Sequence, residues 1–322
     1  MQRKESFEEL RERMLKSAKS GIKSAYSSEE YALIQSINAY LETEKSMNLA
    51  YERLTEWFGI YLPEIRMSNA RTLAALALSI ATKPITLESV AEAVEDRQKA
   101  EQIVQKANQT IGRKMNDEEK QTVASFAKML KDMGQSMESL QSYIKASATR
   151  VLPNVTYLTD EKIAAEMLSK AGSMERFALM PASTVQLLGA EKALFKHLKF
   201  GNKPPKYGVL FKFAPIGTAP KDKRGKIARV YATKIAIALK ADYYSKNFIA
   251  KDLKESIDST VQRILKEPEK QKQQQHRNPA QQQGRQLYRS NRPRQGNHGH
   301  HGNERSRFKR RDGGRDSGKR GF

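Results

Sequence analysis

The sequence contains no cysteine and a single tryptophan in 322 residues. Without thiols there is no disulfide framework and no thiolate zinc site, and a reducing compartment fits. The longest apolar stretch, around Leu73 to Ala81, is too short for a membrane span, which needs about 20 apolar residues. The N-terminus, MQRKESFEELRERM, alternates charge and lacks an apolar signal core, so a secretory leader is not expected. A cytoplasmic protein with no membrane partner is the expectation. No two glycines are spaced G-x-G, so the usual cofactor-loop fingerprint is missing. No nucleophile, base or metal cluster stands out, and neither enzymatic activity nor a cofactor is expected. Sustained strand alternation is absent from residues 1–266 except over Tyr207 to Phe213.

What the sequence does have is positive charge, with 58 Lys+Arg against 36 Asp+Glu and a net charge of +22. Its placement is more telling than its size. Residues 1–149 hold 21 of each sign, residues 150–266 hold 22 against 10, and residues 267–322 hold 15 against 5. All the excess cation lies in the C-terminal half, which argues for a polyanionic partner.

The periodicity is helical throughout. Residues 4–24 read as a charged helix with Phe7, Leu10 and Met14 on one side. Ser27-Ser28-Glu29-Glu30 reads as a helix start, followed by a long helix to about Tyr61 that Pro63 helps to end. Met67 to Thr82 and Leu87 to Thr110 read as further helices. Val123, Phe126, Leu130, Met133, Met137, Leu140 and Ile144 then alternate spacings of three and four, the seam of a coiled coil about three heptads long. Two antiparallel helices can satisfy such a seam within one chain, so it does not by itself establish a dimer. Beyond Pro153-Asn154, helices are expected over Lys162–Ala171, with Gly172 as terminator, and at about Thr184–Leu198, Lys223–Lys240 and Asp252–Leu265. From Glu267 the composition turns to Gln, Gly, Asn and Arg with almost no aliphatics, reading as a disordered basic tail. His298, His300 and His301 lie there, as solvated spacer rather than a metal site.

The expected architecture is therefore all-α. A charged N-terminal helix (1–27) precedes a long antiparallel coiled coil with inserted small helices (28–149). A helical basic domain (150–266) and the tail (267–322) follow.

Lys221, Lys223, Arg224, Lys226 and Arg229 cluster at the expected start of one helix, with Asp222 as the only acid. Positive charge there opposes the helix dipole, so the cluster suits successive phosphates; a solvated helix end is the bland alternative. Gly225 permits a close backbone approach or simple packing. Lys192, Lys196 and Lys199 fall on one helix face, near Lys203 and Lys206 in sequence, as a phosphate-binding row or a solvent face. Ser or Thr in the turn Pro181-Ala182-Ser183-Thr184 suits a helix cap. Glu191 reads as a positioning group, His197 as a surface or packing residue, and Tyr207 as either a base-stacking or a core ring.

Several words in the chain are familiar. MPASTVQLLGAEKALFKHL, PPKYG and KRGKIARVYATKIAIALKAD resemble the Nop domain, the RNA–protein recognition module of box C/D ribonucleoprotein core proteins. EWFGIYLPEI, IGRKMNDEEKQTV and RVLPN resemble landmarks of that family's coiled-coil insert. The resemblance, closest to archaeal members, covers roughly Ser28 to Ile264. It implies a non-catalytic scaffold of the particle that performs RNA-guided 2′-O-methylation in rRNA processing, with fibrillarin as the methyltransferase. It also implies binding of a kink-turn RNA jointly with a small ribosomal-protein-like kink-turn binder, and a homodimer through the coiled coil. Lys192, Lys196, Lys203, Lys206, Lys223, Arg224, Lys226 and Arg229 would contact RNA. Pro181, Ala182, Ser183, Thr184, Gln186, Gly189 and Ala190 would face the composite of RNA and small protein. Two departures stand out. Leu179 occupies a place where the family often has a basic residue. Only 27 residues precede the long helix, whereas the family carries a globular fibrillarin-docking domain there, so fibrillarin docking stays open. The alternative is a Nop-domain adaptor or RNA chaperone for another kink-turn RNA, independent of fibrillarin.

Overall fold

The computed structural model describes residues 6–267. The expected tail beyond Glu267, with its histidines, lies outside the described residues. Those residues form helices and turns with no strand, so the all-α expectation holds. No helix among them is long and apolar enough to cross a membrane.

The first helix, α1, spans Phe7–Tyr26, and α2 spans Glu29–Phe58. The Ser28 hydroxyl accepts from the Glu30 amide at 3.4 Å, and Glu29 and Glu30 occupy the first turn, as the sequence suggests. The helix ends at Gly59, short of Tyr61. Next come α3 (Ala70–Thr82), α4 (Leu87–Val94) and α5 (Arg97–Asn108). The single helix expected over Leu87–Thr110 is thus two. Glu95 turns left-handed at φ 59°, and the Asp96 carboxylate restarts the chain by accepting from the amides of Gln98 and Lys99.

The longest helix, α6 (Asp117–Val151), starts at a reciprocal cap between Asn116 and Glu119. It runs antiparallel to α2, with Trp57 against Phe126 near one end and Glu29 paired with Arg150 at the other. At 30 and 35 residues the two helices make an arm about 45–50 Å long. The predicted seam is satisfied inside the chain. Val123, Leu130, Met137 and Ile144, seven apart, are buried, and Phe126, Met133 and Leu140 are half-buried beside them. At the tip, EWFGIYLPEI and IGRKMNDEEKQTV meet: the Glu64 carboxylate accepts from the Ile111 amide and the Thr110 hydroxyl, and the Arg113 amide donates to the Ile60 carbonyl.

The C-terminal helices are α7 (Pro153–Leu158), α8 (Glu161–Ala171), α9 (Met174–Leu179), α10 (Ala182–Leu187) and α11 (Glu191–Phe200). After them come a 3-10 turn (Val209–Lys212), α12 (Ala214–Gly217), α13 (Arg224–Lys240), a π turn (Ala241–Ser245) and α14 (Ala250–Lys266). Gly172 closes α8 at φ 89° as expected. Three readings are corrected. The short α7 and α9 went unforeseen. The helix expected over Thr184–Leu198 breaks at Gly189, and within Tyr207–Phe213 the chain makes the 3-10 turn Val209–Lys212 rather than a strand.

One hydrophobic core joins the base of the arm (Leu33, Ile37, Ile144, Ala148) to α8, α9 and α13 through Phe177, Tyr231 and Leu239. A second core fills the arm's tip around Leu54, Phe58 and Leu76. Asn154 of the RVLPN word, in α7, ties that helix to the π turn and to the start of α14. Its amide and side-chain nitrogen donate to Asp242 Oδ1 at 3.0 and 2.7 Å, and its Oδ1 accepts from the Ile249 amide. The Val155 amide donates to the other Asp242 oxygen.

Candidate functional site

Three sequence-distant segments converge on the side chain of Gln186. Its Nε2 donates to the Lys206 carbonyl at 2.7 Å and, at 3.5 Å, to the Gly225 carbonyl. The Gln186 and Leu188 carbonyls in turn accept from the amides of Gly208 and Val209. One residue of α10 therefore holds the PPKYG loop and the first turn of α13. The approach needs glycine at two points. A Cβ on Gly208 would sit 2.0 Å from the Leu188 carbonyl oxygen, and Gly189, at φ 85°, would meet the Val209 side chain at 2.7 Å. Gly225 is different: the stem of Lys206 lies across it at ordinary contact distance, so space alone does not demand glycine there.

Beside this junction lies an aromatic and cationic stack. Tyr207 and Phe211 are parallel at 4.8 Å, and the Arg224 guanidinium stands 5.5 Å over the Phe211 ring while its Nε donates to the Ala219 carbonyl. Tyr207 thus packs partly against the core and partly against Phe211, which remains half-exposed. Phe211 was not singled out in the sequence; its signal was an aromatic four residues after Tyr207.

The cations separate by environment. Lys223 is buried, and its ammonium donates to the carbonyls of Leu265 and Glu267 at 2.8 Å each, closing the end of α14. Its expected place among open phosphate contacts is therefore revised: its donors serve the fold. Lys226 is exposed and paired with Glu267. Lys206 and Arg229 are exposed with no ion pair among the described residues. Arg229 lines a groove of about 510 Å³ between α13 and α14 with Lys226, Lys234 and Arg263. Lys234 and Arg263 escaped the sequence reading because their neighbours come from two helices. No acid occurs in the first turn of α13.

Pro181, not Ser183 or Thr184, occupies the cap position of α10, and its carbonyl accepts from the Thr184 and Val185 amides. The capping expectation for Ser183 and Thr184 fails because both lie inside the helix, exposed with Pro181. Ala182 and Ala190 are half-buried. Glu191 accepts from the Gly189 amide at 2.6 Å, so it holds the turn. Lys192, Lys196 and Lys199 are exposed on α11, which has no buried residue, and Lys203 is exposed in the following loop. His197 Nδ1 contacts the Asn202 carbonyl across that loop.

Residues 39–263 match the family described as Nop, snoRNA binding domain, fibrillarin. The chain belongs to the Nop family. A NOP5 family protein of Methanocaldococcus jannaschii is 32% identical over 265 residues, 80% of this chain and 64% of that protein. Nucleolar protein 56 of Dictyostelium discoideum is 34% identical over 226 residues, 68% of this chain and 42% of its own length. Nucleolar protein 58 of Debaryomyces hansenii is 31% identical over 212 residues, 65% and 41% respectively. This Nop-family chain thus spans less than two thirds of each of these relatives. Among solved structures, a chain of the crystal structure of a fibrillarin/Nop5p complex matches at TM-score 0.46 and 24% identity, over 79% of this chain and 77% of that one.

Proposed function

We propose that this chain is a non-catalytic scaffold of a box C/D RNA-guided 2′-O-methylation ribonucleoprotein. It binds a kink-turn RNA jointly with the small ribosomal-protein-like binder already seated on that RNA. The convergence of α10, the PPKYG loop and α13 on Gln186 carries this reading. It holds the open cations Lys206 and Arg229 on segments that are mutually fixed, which suits a shaped phosphate backbone rather than a base sequence. The exposed face of Pro181, Ser183 and Thr184 is where the small protein and RNA would be met together. Residues 28–149 act as a spacer arm, and two copies associate through it. Fibrillarin supplies the methyl transfer, in keeping with the family's description.

A gel shift with a kink-turn RNA, with and without the kink-turn-binding protein and against a straight duplex, tests the reading. A supershift that requires both kink-turn and small protein is expected. Equal binding to both RNAs without the partner would replace it with a general RNA chaperone.

A further inference from the structure

Helix α1 buries none of its described side chains. Phe7, Leu10, Met14, Ala18 and Ile22 follow one another at three- and four-residue steps, an apolar stripe along its 20-residue length. Phe7 is 81% exposed and Met14 64%. A helix of this length, mostly charged on its other face, is marginal in water alone and gains its stability by packing that stripe. A groove of about 730 Å³ runs between α2 and α6, lined by Ala39, Met129 and Met133 together with small hydroxyl side chains and the charged Glu42, Lys128 and Asp132. Its small side chains admit a close approach, and its methionines adapt to a partner surface.

We propose that α1 seats in this groove on a second copy of the chain, each copy lending its α1 to the other. In this structure α1 leaves the groove of its own arm open, and charge sets the direction of an incoming helix. Along α1 the first half carries Glu8, Glu9 and Glu12 against Arg11 and Arg13, a small net negative charge, and the second half carries Lys16, Lys19 and Lys23 with no acid. Along the groove, Lys128 lies one turn, about 6 Å, from Asp132 on α6, and Glu42 stands on the α2 wall. None of these three has an ion-pair partner among the described residues. An incoming α1 running antiparallel to α2 sets its acidic half by Lys128 and its basic half by Asp132 and Glu42. The reverse direction opposes like charges. A reciprocal exchange satisfies both stripes and both grooves at once, the closed two-fold arrangement that homodimers favour. This inference rests on the dimer part of the reading above and says how the two copies meet; it does not depend on RNA binding.

The absence of native cysteine makes the test direct. Full-length Met14→Cys and Met129→Cys proteins are mixed under mild oxidation and run without reductant. A disulfide-linked dimer in the mixture, absent from either protein alone, is expected. Met14→Asp, at an exposed site whose change leaves the core intact, should weaken dimerisation at least tenfold by light scattering. A dimer that forms no mixed disulfide, or one indifferent to Met14→Asp, overturns the α1 seat while leaving the dimer reading standing. A disulfide closing within one chain of the doubly substituted protein shows α1 folding back on its own arm and also overturns it. A native mass of one chain overturns both.

Discussion

Replacing Gln186 with leucine removes the side-chain donor that joins α10 to the Lys206 and Gly225 carbonyls and leaves a shorter, apolar side chain in its place. Only the 2.7 Å bond to Lys206 is of full strength, because the second contact, at 3.5 Å, is at the limit of hydrogen bonding. One neutral hydrogen bond is worth about 1 kcal/mol, and the freed Lys206 carbonyl can reach water. For a body of this size that amounts to a fall in Tm of about 2–4 °C. RNA binding should suffer more. The loop carrying Lys206 must then be ordered at the moment of binding, at about 0.5–1.5 kcal/mol for each side chain fixed. That is close to a tenfold loss in ternary affinity. A double-mutant cycle with Lys206→Ala, read by gel shift, separates positioning from other effects. If Gln186 acts by placing Lys206, the leucine substitution costs little in the alanine background. Fully additive losses would refute the reasoning.

The remaining expectations use the same logic. Asp242→Ala strands the amides of Asn154 and Val155 and the Asn154 side chain, and chemical denaturation should show a loss of about 3 kcal/mol or more. Burial raises the Asp242 carboxyl above the ordinary range, with the Asn154 and Val155 donors opposing it. Its contribution is therefore full below the ordinary Asp range and lost as pH rises through the raised value. The Tm of the wild type relative to Asp242→Asn should accordingly increase between pH 7 and pH 4, and a decrease would count against the assignment. Gly208→Ala drives a methyl into the Leu188 carbonyl, with an expected cost of about 1–3 kcal/mol in thermal or denaturant unfolding. Lys223→Met should lower stability by about 1.5–3 kcal/mol through its lost carbonyl contacts and leave RNA affinity within twofold; a large affinity loss would return Lys223 to the interface. Arg224→Ala with Arg229→Ala should abolish ternary assembly without changing the mass of the free protein. Where residual binding is measurable, its salt slope should fall by about 1–2.

Local pattern accounts for much of this molecule. The seam from Val123 to Ile144, the Ser28 start of α2 and the Gly172 stop of α8 are set by residues within a turn or two, so periodicity and capping expose them directly. Family words likewise fall in α10, the PPKYG loop and α13, which the fold then brings together at Gln186. The breaks at Asp96 and Gly189 are less visible in one dimension. Asp96 resembles any surface acid until its oxygen takes two amides, and Gly189 sits at positive φ where a Cβ would run into Val209, a residue twenty positions away. The cations make the division clearest. In sequence Lys223, Arg224, Lys226 and Arg229 are equivalent members of one basic run. The fold turns Lys223 inward to the last carbonyls of α14, lays Arg224 over Phe211, pairs Lys226 with Glu267 and leaves Arg229 open. Sequence alone thus determined where positive charge concentrates and which segments become helices, since both depend on composition and short-range order. Which charges face outward was decided only by tertiary structure, because a lysine's partner can lie more than forty residues away on another helix.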